Sequence, residues 1–320
     1  MSSADQPVVV IAGPTASGKS RLALAVAREF RGTIINADSM QVYRDLHILT
    51  ARPPEDEMAL APHRLYGKID AGESCSAGRW RNFALIEIAR ARGEGRLPIL
   101  VGGTGLYLSA LLDGIAEIPP VPADVVGEAR RLHARLGGEE FRRALAALDP
   151  VAAGKLPAGD TQRLVRAYAV ARATGVALSD WQKRQAPYAG PAAAAVVLLP
   201  PRDVLYAEID ARLARMFEGG AIEEARALLA RNLSPLLPAM KAVGLREIGR
   251  YLAGACSRQD ALVAAQQTTR RYAKRQYTWL RHHPFAGKKL RKLILETQFS
   301  ERLLPEIFSF IRQFLLTESN

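Results

Sequence analysis

The string Gly13-Pro14-Thr15-Ala16-Ser17-Gly18-Lys19-Ser20 constrains this chain more than any other stretch of it. It fits the pattern G-x-x-x-x-G-K-[ST] and follows directly on the apolar run Val8-Val9-Val10-Ile11-Ala12. In such a loop the glycines let successive backbone N–H groups turn inward around a phosphate. Lys19 adds a positive charge, and the Ser20 hydroxyl can complete a Mg²⁺ shell. Leu22, Leu24, Ala25, Val26 and Phe30 then predict a mostly apolar helix, so the loop sits at a strand-to-helix junction with the helix N-terminus facing the anion. Which phosphate it holds is not written in the motif.

The 320 residues are 48% hydrophobic and 24% charged, enough for one large α/β domain with an insertion or for two domains. A net charge of +12 favours a polyanionic partner, nucleic acid before membrane. Cys75 and Cys256 are too far apart for a metal or redox motif and suit a reduced compartment. No signal peptide precedes Val8, and no apolar run reaches the ~18 residues of a membrane span, so a cytoplasmic protein is expected.

Thr33-Ile34-Ile35-Asn36 predicts a strand that ends in Ala37-Asp38-Ser39-Met40-Gln41-Val42-Tyr43. The carboxyl ends of strands in a parallel sheet carry the ligands, which places Asp38 in the same crevice as the phosphate loop. A helix cap or an ion pair is the other use for such an aspartate. Residues 46–65 read as loop with one short helix, and Ser76 to Arg92 as a helix. Leu97-Pro98-Ile99-Leu100-Val101 is a buried-strand pattern that runs into Gly102-Gly103-Thr104-Gly105 and a helix from Leu106 to Leu112. An NTP-hydrolysing phosphate-loop protein places an Asp at such a strand end to help hold Mg²⁺. Gly-Gly-Thr offers amides and a hydroxyl instead; a plain turn is the alternative.

After Pro119-Pro120-Val121-Pro122 the texture changes. Residues 125–185 lack strand patterns and hold 11 Lys/Arg against 6 acids, with an exit through Pro187 to Pro191. Ala192 to Leu199 resumes the strand pattern. The expected fold is therefore α/β, a P-loop NTPase-like parallel sheet flanked by helices, formed by residues 1–122 and 188–320 and interrupted by a helical insertion at 123–187. Arg202 to Met216 predicts an amphipathic helix with Arg202, Arg212 and Arg215 on or near its polar side, followed by a helix from Ala221 to Leu229. From Ala261 to Leu295 there are nine Lys/Arg and no acid, with Tyr272, Tyr277, Trp279 and Phe285 interleaved, a composition suited to RNA. Phe299 to Leu316 is apolar at helical spacing and is expected to pack on the core.

Several of these strings together resemble one family, the tRNA dimethylallyltransferases or tRNA isopentenyltransferases. They are the loop 13–20, Asp38 to Tyr43, Val101 to Tyr107, Asp160 to Ala167 (DTQRLVRA), Leu205 to Leu213 (LYAEIDARL) and Arg271 to Trp279 (RYAKRQYTW). The resemblance covers about residues 8–283. It implies transfer of a dimethylallyl group from its diphosphate to the exocyclic amine of adenosine 37 beside the tRNA anticodon.

By that resemblance Gly13 to Ser20 hold the leaving diphosphate rather than ATP, with Mg²⁺ on Ser20. Asp38 accepts the proton of the amine, Lys19 and Arg212 neutralise the leaving group, and Thr104 contacts the target nucleotide. Asp38, Ser39, Met40, Gln41, Gln162, Arg163, Arg166, Lys241, Arg246, Lys274, Arg275, Gln276, Trp279 and Arg281 fall in family segments that touch tRNA. The insertion would be a tRNA-binding domain closing on the anticodon stem-loop, and the protein a monomer.

The chain also departs from the pattern. Leu49-Thr50-Ala51-Arg52 stands where the family has Gly-Thr-Ala-Lys, Leu245 replaces a common Tyr, no zinc finger follows, and the tail after Ala286 matches nothing. A P-loop phosphotransferase that uses ATP, a prenyltransferase for free adenine nucleotides and a catalytically silent RNA-binding protein are the competing readings.

Overall fold

A computed structural model describes residues 7–184, 188, 190–283, 285 and 290–318. The chain forms two compact units, Met1–Asp113 with Ala189–Asn320, and Gly114–Tyr188.

The first unit is built on six strands, β1 (Val8–Ala12), β2 (Gly32–Asn36), β3 (His63–Arg64), β4 (Leu97–Gly102), β5 (Ala193–Leu198) and β6 (Leu290–Leu295). All neighbours are parallel, in the order β3-β2-β4-β1-β5-β6. A parallel sheet is covered on both faces, which is why β1 and β5 are unbroken apolar or small runs and every residue of β1, β2 and β5 is buried. β1 is central, pairing Ala12 with Gly102 of β4 and with Val197 of β5. The phosphate loop therefore leaves the middle of the sheet, flanked by the ends of β4 and β5.

Helices α1 (Lys19–Glu29), α2 (Glu55–Leu60), α3 (Ala77–Gly93) and α4 (Gly105–Leu112) precede the second unit. Ser76 starts α3 by accepting from the Arg79 N–H. The second unit holds α5 (Ala123–Ala146, broken at Gly137), α6 (Pro150–Lys155), α7 (Thr161–Thr174) and α8 (Leu178–Lys183) around Ala129, Phe141, Leu145 and Leu164. Asp149 and Asp160 cap α6 and α7. This unit begins at Gly114, ahead of the expected 123, because Val121 packs into its core. Of the expected exit, Pro187 lies outside the described residues.

Back in the first unit come α9 (Arg202–Glu218), α10 (Ala221–Ala230), α11 (Leu245–Leu252), α12 (Arg258–His282) and α13 (Leu304–Glu318). A Ser257–Asp260 capping box starts α12. Ile307, Ile311 and Phe314 of α13 are buried in the cluster that also holds Leu22 and Val26 of α1, as the apolar spacing of 299–316 predicts.

The basic run from Ala261 to Leu295 does not form one element. Arg270 to Arg281 lie on α12, whereas Arg291 and Lys292 are exposed on the edge strand β6. Lys288 and Lys289 lie outside the described residues. Among the described residues no helix is long and apolar enough to cross a membrane.

Candidate active site

The phosphate loop turns through left-handed backbone at Ala16 (φ 68°) and Gly18 (φ 85°) before α1 begins at Lys19. It opens on a cavity of about 760 Å³ lined by Gly18, Lys19, Ser20, Arg52, Arg212 and Arg215. Lys19 Nζ donates to the Pro14 carbonyl at 3.3 Å. Burial, opposed by the Asp38 carboxylate and reinforced by Arg212, lowers the Lys19 pKa to about 8.

Arg212 was expected on or near the polar side of α9. Instead its Nη2 donates to Thr15 Oγ1 at 2.5 Å, burial lowers its pKa, and its buried Nε has no partner. The buried Ser17 hydroxyl is likewise unpartnered. Two cations and an unspent hydroxyl at a phosphate-loop turn that leads into a helix N-terminus make a site short of negative charge, and a phosphate group supplies what is missing.

The end of β2 supplies the facing carboxylate. Asn36, buried at the strand end, accepts from the Asp38 N–H at 2.9 Å and donates to the Asp38 carbonyl at 3.0 Å, fixing the turn. Asp38 Oδ1 accepts from the Met40 N–H at 2.9 Å, and its charge reaches Lys19, Arg212, Tyr66 and Tyr272. Thr104, after β4, accepts from the Ser39 N–H at 2.9 Å and donates to Ser39 Oγ at 3.3 Å. Asp38, Ser39 and Thr104 are thus one connected group. Burial, with the nearby Asp38 charge, raises the pKa of Tyr66 and of Tyr272, so both keep their phenolic protons.

From α12 comes the clamp between these parts. Gln276 is buried; its Oε1 accepts from the Thr15 N–H at 2.9 Å, and its Nε2 donates to the Gly103 carbonyl and Tyr272 Oη, both at 3.1 Å. Only glycine fits at 103, because a Cβ there would lie 2.2 Å from Gln276 Nε2. The structure therefore spends the Gln276 amide inside the protein rather than at the surface, where a contact to tRNA would need it. Gln41 is similarly buried, donating to the Thr50 and Ala51 carbonyls at 2.9 and 3.0 Å.

The remaining residues assigned to tRNA are placed as follows. Ser39 and Met40 are half-buried beside Asp38. Lys241, Arg246, Lys274, Arg275 and Arg281 are exposed, Arg275 lying over the Tyr272 ring at 5.8 Å. Trp279 packs its ring against Gly105 and stacks on His283 with centroids 5.0 Å apart. Gln162, Arg163 and Arg166 are exposed on α7 of the second unit, with Arg163 paired to Asp160 at 3.4 Å. Ser20 lines the cavity. Of the departures from the family pattern, Arg52 lies against Gly67 at the cavity wall and Leu245 is buried at the start of α11, where a leucine packs without a hydroxyl to satisfy.

Sequence reasoning missed Glu224. Its Oε2 accepts from the N–H groups of His47 and Ile48, both at 2.7 Å, and its Oε1 from Leu49 at 2.9 Å. A contact across more than 170 residues leaves no local sequence signal.

An anion-binding loop walled by Lys19 and Arg212 and faced by a carboxylate beside a hydroxyl defines a group-transfer enzyme of the P-loop α/β class. Comparison with known proteins narrows this. The family described as IPP transferase matches residues 41–283. A tRNA dimethylallyltransferase of Rhodospirillum rubrum is 51% identical over 315 residues, covering 97% of this chain and 96% of its own, and one of Paramagnetospirillum magneticum is 49% identical over 320 residues, covering 99% of each. The crystal structure of the full-length tRNA isopentenylpyrophosphate transferase of Bacillus halodurans has a TM-score of 0.69 at 31% identity, covering 98% of both chains. A eukaryotic dimethylallyltransferase captured acting on tRNA has a TM-score of 0.80 at 26% identity, covering 97% of this chain and 80% of its own. The chain belongs to the IPP transferase family, the tRNA dimethylallyltransferases.

Proposed function

We propose that this protein transfers the dimethylallyl group of dimethylallyl diphosphate to the exocyclic amine of adenosine 37 in the anticodon loop of tRNA, releasing diphosphate. The amine nitrogen forms a bond to the allylic C1 as the C1–O bond to diphosphate breaks, and the amine loses one proton. An adenine amine is a weak nucleophile because its lone pair is shared with the ring, so a carboxylate that takes the proton as the bond forms accelerates the step. Asp38 is given that role and Thr104 the contact to the nucleotide. Lys19, Arg212 and the N–H groups of the loop other than those of Thr15 and Ser17, which Gln276 and the Pro14 carbonyl hold, take the charge that grows on the departing diphosphate.

The observation that carries this reading is the unsatisfied cationic cradle facing Asp38: Arg212 Nε and Ser17 Oγ are buried without partners beside a Lys19 whose charge burial disfavours. Mg²⁺ fits there as a phosphate-borne ion. The described residues hold no cluster of three His, Cys, Asp or Glu, so Ser20 would be one ligand and phosphate oxygens and water the rest. When bound, the ion supplies further charge neutralisation to the leaving group. The exposed cations of α12 and α7 suit the tRNA phosphates. A tRNA substrate goes with a cytoplasmic protein, and we read the protein as a monomer.

The test is to incubate the protein with Mg²⁺, dimethylallyl diphosphate and an unmodified anticodon stem-loop, and to measure prenylated adenosine by mass spectrometry. Product is expected on adenosine 37 alone. Absence of product together with phosphate transfer from ATP to a small acceptor would overturn the reading in favour of a phosphotransferase, and prenylation of free AMP but not of RNA would move the acceptor.

A further inference from the structure

The chain beyond the family-matched residues 41–283 returns to the phosphate loop, and topology explains why. β1, β5 and β6 are parallel neighbours, with Ala12 paired to Val197 and Leu198 to Leu295. Their carboxyl ends therefore emerge together. The residues after Leu295 arrive where those after Ala12 begin.

There Gln298 Nε2 donates to the Ala16 carbonyl at 2.8 Å, and the Phe299 N–H to the Ser17 carbonyl at 3.4 Å. Phe299 is buried, and it crosses Gly18 so closely that a Cβ on Gly18 would lie 2.7 Å from its own Cβ. The Arg21 guanidinium sits 5.8 Å from the centre of its ring. Both residues line the cavity with Lys19 and Ser20. Further on, Phe308 packs edge-on to Phe30 at 5.5 Å and Arg312 pairs with Glu29, so the same segment grips the far end of α1.

A loop that turns its N–H groups toward an anion must satisfy its carbonyls elsewhere. Ala16 also holds a left-handed backbone that an alanine adopts only under constraint. From these contacts we infer that Gln298 and Phe299 are positioning residues for the phosphate loop. They satisfy the Ala16 and Ser17 carbonyls and hold the loop amides in the anion-binding arrangement before the diphosphate arrives. The inference rests on the diphosphate reading of the loop given above.

Isothermal calorimetry with inorganic diphosphate and Mg²⁺ tests it, on the full chain and on Q298M, which keeps the side-chain length but not the amide. R312A serves as a control that loosens the same tail away from the cavity. Q298M is expected to bind diphosphate about tenfold more weakly and to raise the KM for dimethylallyl diphosphate by a similar factor, with stem-loop affinity within twofold of wild type. R312A is expected to lower the Tm without changing diphosphate affinity. Wild-type diphosphate affinity in Q298M would overturn the inference. So would a parallel loss of diphosphate and stem-loop binding in both variants, since that marks the tail as merely structural. If the wild-type chain takes up no diphosphate, the reading of the loop itself fails, and the inference with it.

Discussion

The Thr15 N–H donates to Gln276 Oε1 at 2.9 Å, tying the phosphate loop to a helix 261 residues further along the chain. The Gln276 Nε2 holds the Gly103 carbonyl, so one buried amide joins the exits of β1 and β4. Replacing it with leucine leaves a buried amide and a carbonyl unsatisfied, about 1–3 kcal/mol each. Q276L is expected to raise the KM for dimethylallyl diphosphate about tenfold and to leave tRNA affinity within twofold. Steady-state kinetics beside a filter-binding titration would check this, and a tRNA loss as large as the donor effect would return Gln276 to the RNA surface.

Asp38 offers a cleaner separation of chemistry from binding. Asparagine keeps the Oδ1 that accepts from Met40, so the turn set by Asn36 survives while the base is lost. D38N is expected to lower kcat about a thousandfold, within the usual range for a proton-transfer group. Single-turnover rates compared with stem-loop affinity decide the matter, because a matched fall in both would make Asp38 a binding residue.

The features legible in the sequence are those whose signal is local. The phosphate loop, Asp38 at the end of β2 and Thr104 at the end of β4 follow from strand runs and the rule that ligands gather at the carboxyl ends of parallel strands. The helical insertion shows in composition. Gln276 and Glu224 were not legible in their roles, because each acts through contacts more than 170 residues distant. β6 was masked by its position at the sheet edge, where Arg291 and Lys292 face solvent and read as one more basic patch. Arg212 is placed by helical periodicity on or near the polar side of α9, because periodicity sees only charge; in the structure its guanidinium turns inward to Thr15, in keeping with the role that the resemblance gives it.

Glu224 is expected to matter through the segment it holds. Its carboxylate accepts three consecutive backbone N–H groups at the start of the loop that carries Arg52 along the cavity wall. E224Q sets an amide NH₂ against one or more of those donors. For this half-buried side chain we expect a stability loss of about 2 kcal/mol and a donor KM raised about fivefold. Denaturant unfolding and steady-state kinetics measure the two effects, and an E224Q protein identical to wild type in both would show that the segment is held by other contacts.

Lys19 makes donor binding dependent on pH in a direction that its surroundings fix. Burial lowers its pKa from 10.5 to about 8, so below that pH the ammonium is present to meet the diphosphate. A bound diphosphate stabilises the charged form and raises the pKa again. Binding above pH 8 must then take up a proton, so affinity is level below about pH 8 and falls above it, approaching tenfold per pH unit. The stability of the ligand-free protein runs the other way. The unfolded chain binds its Lys19 proton more tightly, so the cost of burying the charge is full below about pH 8 and is relieved as the pH rises toward 10.5. Calorimetric titration of dimethylallyl diphosphate from pH 7 to 10, repeated with K19M, tests both halves of the argument. K19M is expected to bind more weakly and to lose this pH dependence, and its Tm is expected to lack the rise that wild type shows above pH 8. An affinity that stays level through pH 9 in wild type would mean that Lys19 is already paired as strongly without the diphosphate as with it.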